Sequence, residues 1–313
     1  MKKALKLLLL SPMAISLAGC GETSTSTSTT VDPKPVDVVI ISGQSNGVGC
    51  TYSSCLTRSM GHDKYQEYMA GYEGIKIAYD CWTKDYEKDP PLFYSQNISK
   101  NNNFVKVMLG QGNSLATFGP EIGIGEKLHG KYDDKLVLIK YACGASNLKD
   151  DWAQRNSPMY GRFINYIKLQ MKNLEEMGYI PTIKAFCWMQ GEGDSYPGYH
   201  EVYYENLKGF VSNLREDLKE LCGNQDFPFI DALVNNVVDE HGDYRWPNWE
   251  EVNNAKKLFA SESENNYCID TITAGLHSDQ EPFDSPDIAH YDTESQVLLG
   301  NLFAEQFKQF LMK

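Results

Sequence analysis

Basic residues are in short supply in this chain: 29 Lys and Arg stand against 42 Asp and Glu, a formal net charge of −13. Phosphate binding needs clustered Lys and Arg, so the deficit argues against nucleic acid as a partner. Internal repeats are missing, and so is any break that would mark a second domain after residue 36. Cysteine is sparse, and its eight positions show no zinc-ligand spacing. Setting Cys20 aside leaves an odd number of cysteines, so at least one thiol is unpaired. Cys143 and Cys187 fall in apolar runs and read as small buried hydrophobes. Cys50 and Cys55, in a polar stretch, are the candidate disulfide pair. What is present in quantity is core material: 42% hydrophobic and 12% aromatic residues among 313, as in a globular chain.

The first 20 residues, MKKALKLLLLSPMAISLAGC, have a basic start, an apolar middle and a small-residue end, the pattern of a secretory signal. Leu17-Ala18-Gly19-Cys20 resembles a bacterial lipobox, which implies lipidation of Cys20 and a domain tethered at the cell surface or envelope. A simple cleaved signal is the alternative. Residues 21–35, rich in Ser and Thr and closed by Pro33 and Pro35, are too polar to pack and read as a linker.

From residue 36 onward short apolar runs alternate with amphipathic stretches. Val36–Ile41, Leu136–Tyr141, Ile183–Met189 and Phe227–Ala232 are nearly continuous in apolar or β-branched residues, as strands covered on both faces of a parallel sheet would be. Between them, residues 119–130, 160–178 and 199–223 carry helical spacing, and residues 293–313 form a last helix. The alternation predicts an α/β fold, a three-layer α/β/α sandwich with a mostly parallel central sheet. Residues 50–118 break the rhythm and read as a long insertion over the strand edges.

Ligands of such sheets bind beyond the carboxyl ends of the strands. Ser45 in GQSN follows the first strand, CGASN (143–147) the second and QGEGDS (190–195) the third. A serine hydroxyl becomes a nucleophile only when a base takes its proton and a further group orients that base. Among six histidines only His290 has a carboxylate three residues earlier, Asp287, in a loop entering the terminal helix. A D-x-x-H spacing also arises by chance, and a serine among glycines is ordinarily a turn residue. His277 is the rival histidine.

Taken together, GQSN (43–46), FGPEIGIGEKL (118–128), CGASNLKDDW (143–152), WMQGEGDS (188–195) and DIAHYDTESQVLLGNLFAEQF (287–307) resemble the SGNH-type esterases. Within them the chain is similar to the sialate O-acetylesterase-like group, which includes the acetylxylan esterases of carbohydrate esterase family six. The resemblance runs over residues 36–310, weakest at 50–118, and implies an SGNH, flavodoxin-like domain spanning 36–313. It also implies Ser45 as nucleophile, His290 as general base and acid, Asp287 as its orienter, and an oxyanion hole from the backbone N–H groups of Ser45 and Gly144 and the Gln190 amide. Glu192 competes with Asp287 as orienter, as in some relatives of the group. The implied activity is removal of O-acetyl groups from carbohydrate, with acetylated xylan or a related plant polysaccharide leading and O-acetylated sialic acid second. It requires no cofactor or metal. A carbohydrate-binding lipoprotein with the same crevice and no turnover is the alternative from another class. Trp246 and Trp249, in the WPNW stretch, are candidate sugar-stacking residues, whereas Trp152 reads as structural. Gln44 and Asn46 read as fasteners of the nucleophile turn.

Overall fold

A computed structural model describes residues 32–100 and 103–312. The expected signal, Cys20 and most of the linker lie outside the described residues, and residues 33–313 form one unit. Its first strand, β1 (Lys34–Gly43), starts two residues before the expected domain boundary.

The strands follow in chain order as β2 (Thr51–Tyr52), β3 (Tyr72–Asp85), β4 (Leu92–Ile98), β5 (Val105–Val107), β6 (Thr117–Phe118), β7 (Leu136–Gly144), β8 (Tyr179–Met189), β9 (Phe229–Ala232) and β10 (Asn266–Ile269). The main sheet has the order β10-β9-β8-β1-β7-β3-β4, with β5 also paired to β3. Every neighbour from β10 to β3 is parallel; only β4 and β5 run antiparallel. The helices are α1 (Ser45–Val48), α2 (Leu56–Ser59), α3 (His62–Ala70), α4 (Glu121–Leu128), α5 (Pro158–Glu176), α6 (Tyr203–Asp217), α7 (Trp249–Ser261) and α8 (Thr293–Phe307).

Side-chain alternation along β1 explains the layers. Val36, Val38 and Ile40 point to one face and join a core with Phe163 and Ile167 of α5, Phe210 of α6 and Val252 of α7. Val39 and Ile41 point to the other face and pack with Ile122 and Ile124 of α4 and Val297 and Phe303 of α8. Both faces of the central strands are therefore covered, which is why these runs are nearly continuous in apolar residues, with Asp37, Lys140 and Lys184 as charged exceptions. The fold is the expected three-layer α/β/α sandwich.

Residues 50–118 correct the insertion reading. They hold β3, a fourteen-residue strand lying parallel to β7 inside the main sheet. Ile75, Ile77, Tyr79 and Cys81 bury one face, while Gly74, Lys76 and Asp80 interrupt the other, so the stretch alternates instead of reading as an apolar run. The segment after β9 also holds α7 and β10, which the apolar pattern missed.

Three lysines are buried in ion pairs: Lys84 with Asp151 at 2.8 Å, Lys140 with Glu121 at 2.8 Å and Lys256 with Asp231 at 2.7 Å. Lys140 on β7 also donates to the carbonyls of Val48, at the end of α1, and Gln111. Removing one partner of such a pair strands a buried charge and costs about 3–5 kcal/mol. Lys140 therefore holds α1 against the sheet as well as balancing Glu121. All seven cysteines among the described residues are free, so the expected Cys50–Cys55 pair is absent: Cys55 is buried immediately before α2, whereas Cys50 borders the His290 loop.

Candidate active site

Three loops leave the carboxyl ends of β1, β7 and β8, and a fourth precedes α8. The chain turns from β1 into α1 at Gly43, whose φ of +137° lies outside the range L side chains favour; a Cβ there would stand 1.9 Å from the Met189 carbonyl oxygen on β8. Glycine is required for β1 and β8 to close up at this edge. Gln44 then donates its backbone N–H to that same carbonyl at 2.9 Å, and Ser45 opens α1 with its own N–H lacking an intrahelical partner.

The residues flanking Ser45 tie the loops together. Gln44 Oε1 accepts from the N–H groups of Gly191 at 3.3 Å and Gly193 at 3.0 Å. Asn46 Nδ2 donates to Glu192 Oε1 at 2.7 Å and to the Ala289 carbonyl at 3.3 Å, while its Oδ1 accepts from Tyr291 N–H at 3.1 Å. The expected fastening role of Gln44 and Asn46 matches this geometry. On the other side, buried Asp194 accepts from Leu148 N–H at 2.7 Å and Lys149 N–H at 3.3 Å, joining the loop after β8 to the loop after β7. Burial pushes the Asp194 carboxyl up to about 7 against those hydrogen bonds, which hold it down.

Asp287 and His290 form a pair in the loop before α8: Asp287 Oδ2 lies 2.6 Å from His290 Nδ1. Asp287 Oδ1 also accepts from Ala289 N–H at 3.1 Å, which fixes the carboxylate. Burial alone would raise Asp287, but the imidazole, the Ala289 N–H and nearby Arg245 hold it below its ordinary value. For His290 burial works downward, and the Asp287 hydrogen bond together with Cys50 overcomes it, pushing the imidazole up to about 10. Glu192 is fully buried and burial raises its carboxyl; its hydrogen bond goes to Asn46 and not to the imidazole.

Ser45 and His290 line one cavity of about 440 Å³. Ala145, held at φ 59°, and Asn147 form its floor beyond β7. Tyr86, Tyr196, Tyr199 and Trp246 supply aromatic walls. Arg245 is the only Lys or Arg among the described residues lining it; its guanidinium sits 4.3 Å from the Trp246 ring centroid and Nη1 donates to the Tyr196 hydroxyl at 3.1 Å.

Several sequence expectations change here. Gln190 is fully buried and does not line the cavity. Its Nε2 donates to Asp194 at 2.5 Å and Gln44 Oε1 at 3.2 Å, and its Oε1 accepts from the Tyr203 hydroxyl at 3.2 Å. The amide thus braces the loop and is not presented as an oxyanion donor. Gly144 ends β7 in a buried position, and it is the next residue, Ala145, that lines the cavity. Trp249 opens α7 and packs edge-on to Tyr244, 5.7 Å between ring centroids, outside the cavity lining; Trp246 lines the cavity beneath Arg245. Trp152 is fully buried and donates to Ser146 Oγ at 2.9 Å, as a structural residue would. His277 pairs with Asp292 at 2.6 Å and faces a different cavity, so it does not compete with His290 for Ser45. Arg245, Tyr86 and Tyr199 lie outside every motif read from the sequence, whereas Asn147 ends the CGASN stretch; Arg245 adjoins the WPNW stretch, and that adjacency is the only signal for it.

A family model described as carbohydrate esterase, sialic acid-specific acetylesterase, matches residues 35–309. Among solved structures, a protein from Arabidopsis thaliana is similar at 20% identity and TM-score 0.58, over 89% of this chain and 100% of that one. NanS is similar at 14% identity and TM-score 0.57, over 90% of this chain and 98% of that one. A carbohydrate acetylesterase from Xanthomonas citri is similar at 13% identity and TM-score 0.56, over 88% of this chain and 56% of that longer one. At such identities the likeness is one of fold. No curated relative matches the chain.

Proposed function

The chain belongs to the carbohydrate esterase family of sialic acid-specific acetylesterases, and from that premise we propose that it deacetylates a carboxylate-bearing sugar with Ser45, His290 and Asp287. Membership makes it a carboxylic ester hydrolase acting on acetylated carbohydrate. The observation that carries the mechanism is the His290–Asp287 pair at 2.6 Å with His290 and Ser45 lining one cavity.

In this reading His290 Nε2 takes the Ser45 proton as Oγ bonds to the acetyl carbonyl carbon. The carbonyl oxygen becomes an oxyanion beside the Ser45 N–H, and Asp287 holds the imidazolium that has formed. When the bond to the sugar oxygen breaks, the proton passes from Nε2 to that oxygen. Water then repeats the sequence on the acetyl-serine, acetate leaves, and Ser45 Oγ recovers its proton.

Acetylated xylan and O-acetylated sialic acid share this chemistry. Arg245 favours the second, because a guanidinium matches a carboxylate in charge and fork geometry, whereas a neutral xylose chain presents no such group. Arg245→Gln is expected to raise KM for an O-acetyl sialoside about tenfold or more, with p-nitrophenyl acetate turnover nearly unchanged. Faster acetate release from acetylated xylan than from the sialoside, or an equal loss on both esters, would overturn the anionic assignment.

The lipobox-like Leu17-Ala18-Gly19-Cys20 supports an exported chain anchored through a lipid on Cys20. Fatty-acid labelling of the full chain in a bacterial host should be lost in Cys20→Ser. Labelling that persists in the variant, or is absent from the parent, refutes the anchor.

A further inference from the structure

A second His–Asp pair stands away from the cavity of Ser45. His277 Nδ1 lies 2.6 Å from Asp292 Oδ2. Asp292 is itself buried and accepts from Gln280 N–H at 3.1 Å and Glu281 N–H at 2.9 Å, so its carboxylate is immobilised. A carboxylate on one imidazole nitrogen fixes the tautomer and ring direction and makes the other nitrogen a better ligand, the usual support of metal-binding histidines.

His277 lines a separate cavity of about 260 Å³ together with Asp279, Ser278 and Asn235. Ligand-type atoms of His277, Asp279 and Asp292 all lie within 4.8 Å of one another. Asn235 supplies an independent observation. It is only 4% exposed; its Nδ2 donates to Ser278 Oγ at 2.8 Å, and that hydroxyl donates onward to the Ile288 carbonyl at 3.1 Å. The direction of this relay fixes the amide orientation and leaves Asn235 Oδ1 as a buried acceptor with no partner. Buried polar atoms are nearly always satisfied, so an orphan acceptor on a residue that lines the same cavity as His277 and Asp279 points to something that binds there.

We propose that this cavity binds one divalent cation of the zinc class, with His277 Nε2, the Asp279 carboxylate and Asn235 Oδ1 as protein ligands and Asp292 orienting His277. Imidazole as a ligand favours zinc over magnesium or calcium, which prefer oxygen-only sets. The ion is a brace and not a participant in ester hydrolysis: this cavity shares no lining residue with the one that holds Ser45. It would clamp the segment after β9 to the loop that carries Asp287 and His290.

Isothermal titration of the full chain with ZnCl2, with MgCl2 in a parallel run, tests the site. One Zn²⁺ per chain is expected, with no comparable Mg²⁺ binding and a higher melting temperature in the zinc-bound protein. Asp279→Asn, at an exposed position that leaves folding undisturbed, should abolish the tight site, and Asp292→Asn should weaken it by about 10–100-fold. Ser45→Ala should bind Zn²⁺ as the parent does. Absence of saturable Zn²⁺ binding would overturn the site, as would tight binding that survives both Asp279→Asn and His277→Gln, since the ion would then sit elsewhere, for example on a free cysteine.

Discussion

Ser45→Ala is expected to lower kcat/KM for p-nitrophenyl acetate by about 10⁴-fold or more, while KM for a sugar acetate changes little. The variant loses only a hydroxyl for which no side-chain hydrogen bond is found among the described residues, and the surrounding bonds come from Gln44 and Asn46. Its circular dichroism and melting temperature should therefore match the parent, which makes lost turnover a statement about chemistry and not about folding. Electrospray mass spectrometry adds a direct measurement: a slow ester should leave an acetyl group on the parent and none on the variant. Turnover in the variant within tenfold of the parent would remove Ser45 from the mechanism and leave the crevice as a binding site.

Much of the fold was legible because the central strands are buried on both faces. Val36–Ile41, Leu136–Tyr141 and Ile183–Met189 are nearly continuous in apolar residues for that reason, and each proved to be part of a longer strand. β3 was illegible for the opposite reason. Its register leaves Gly74, Lys76 and Asp80 on a partly covered face, so only every second residue is apolar, within a stretch rich in loop-type residues. Phe227 shows a different limit: it is as apolar as the strand it precedes, yet it serves the core by stacking on Phe186, 5.9 Å between centroids, before β9 begins.

At the site, motifs located the segments better than they located the side chains. GQSN, QGEGDS and DIAHYD converge because Asn46 and Gln44 carry hydrogen bonds across the strand ends. Which way Gln190 faces depends on Asp194, four residues later, a buried carboxylate that captures its amide; no pattern of residue types reveals that. Arg245, Tyr86 and Tyr199 reach the cavity from three separate segments, and only the folded chain brings them together. Cys50 and Cys55 are close in sequence, but the short helical turn between them sends Cys55 into the core.

Asp287→Asn should cost about 10²–10⁴-fold in kcat and should also move the pH profile, which separates orientation from simple structural damage. The general base works as neutral imidazole. In the parent, Asp287 and Cys50 outweigh burial and raise His290 to about 10, so activity is expected to climb with pH well past the ordinary histidine range. Below that value the imidazolium persists, and the rate falls about tenfold per pH unit. Replacing Asp287 removes the largest upward influence and leaves Cys50 alone against burial, so the acid limb should shift to lower pH although the plateau is lower. The fractional loss is then greatest in alkaline solution and shrinks toward neutrality. Glu192→Gln gives the contrasting case: Glu192 hydrogen-bonds Asn46, so its loss should loosen the nucleophile turn and leave the limb nearly in place. A limb that moves in Glu192→Gln and stays fixed in Asp287→Asn would transfer the orienting role to Glu192, against the 2.6 Å contact between Asp287 and His290.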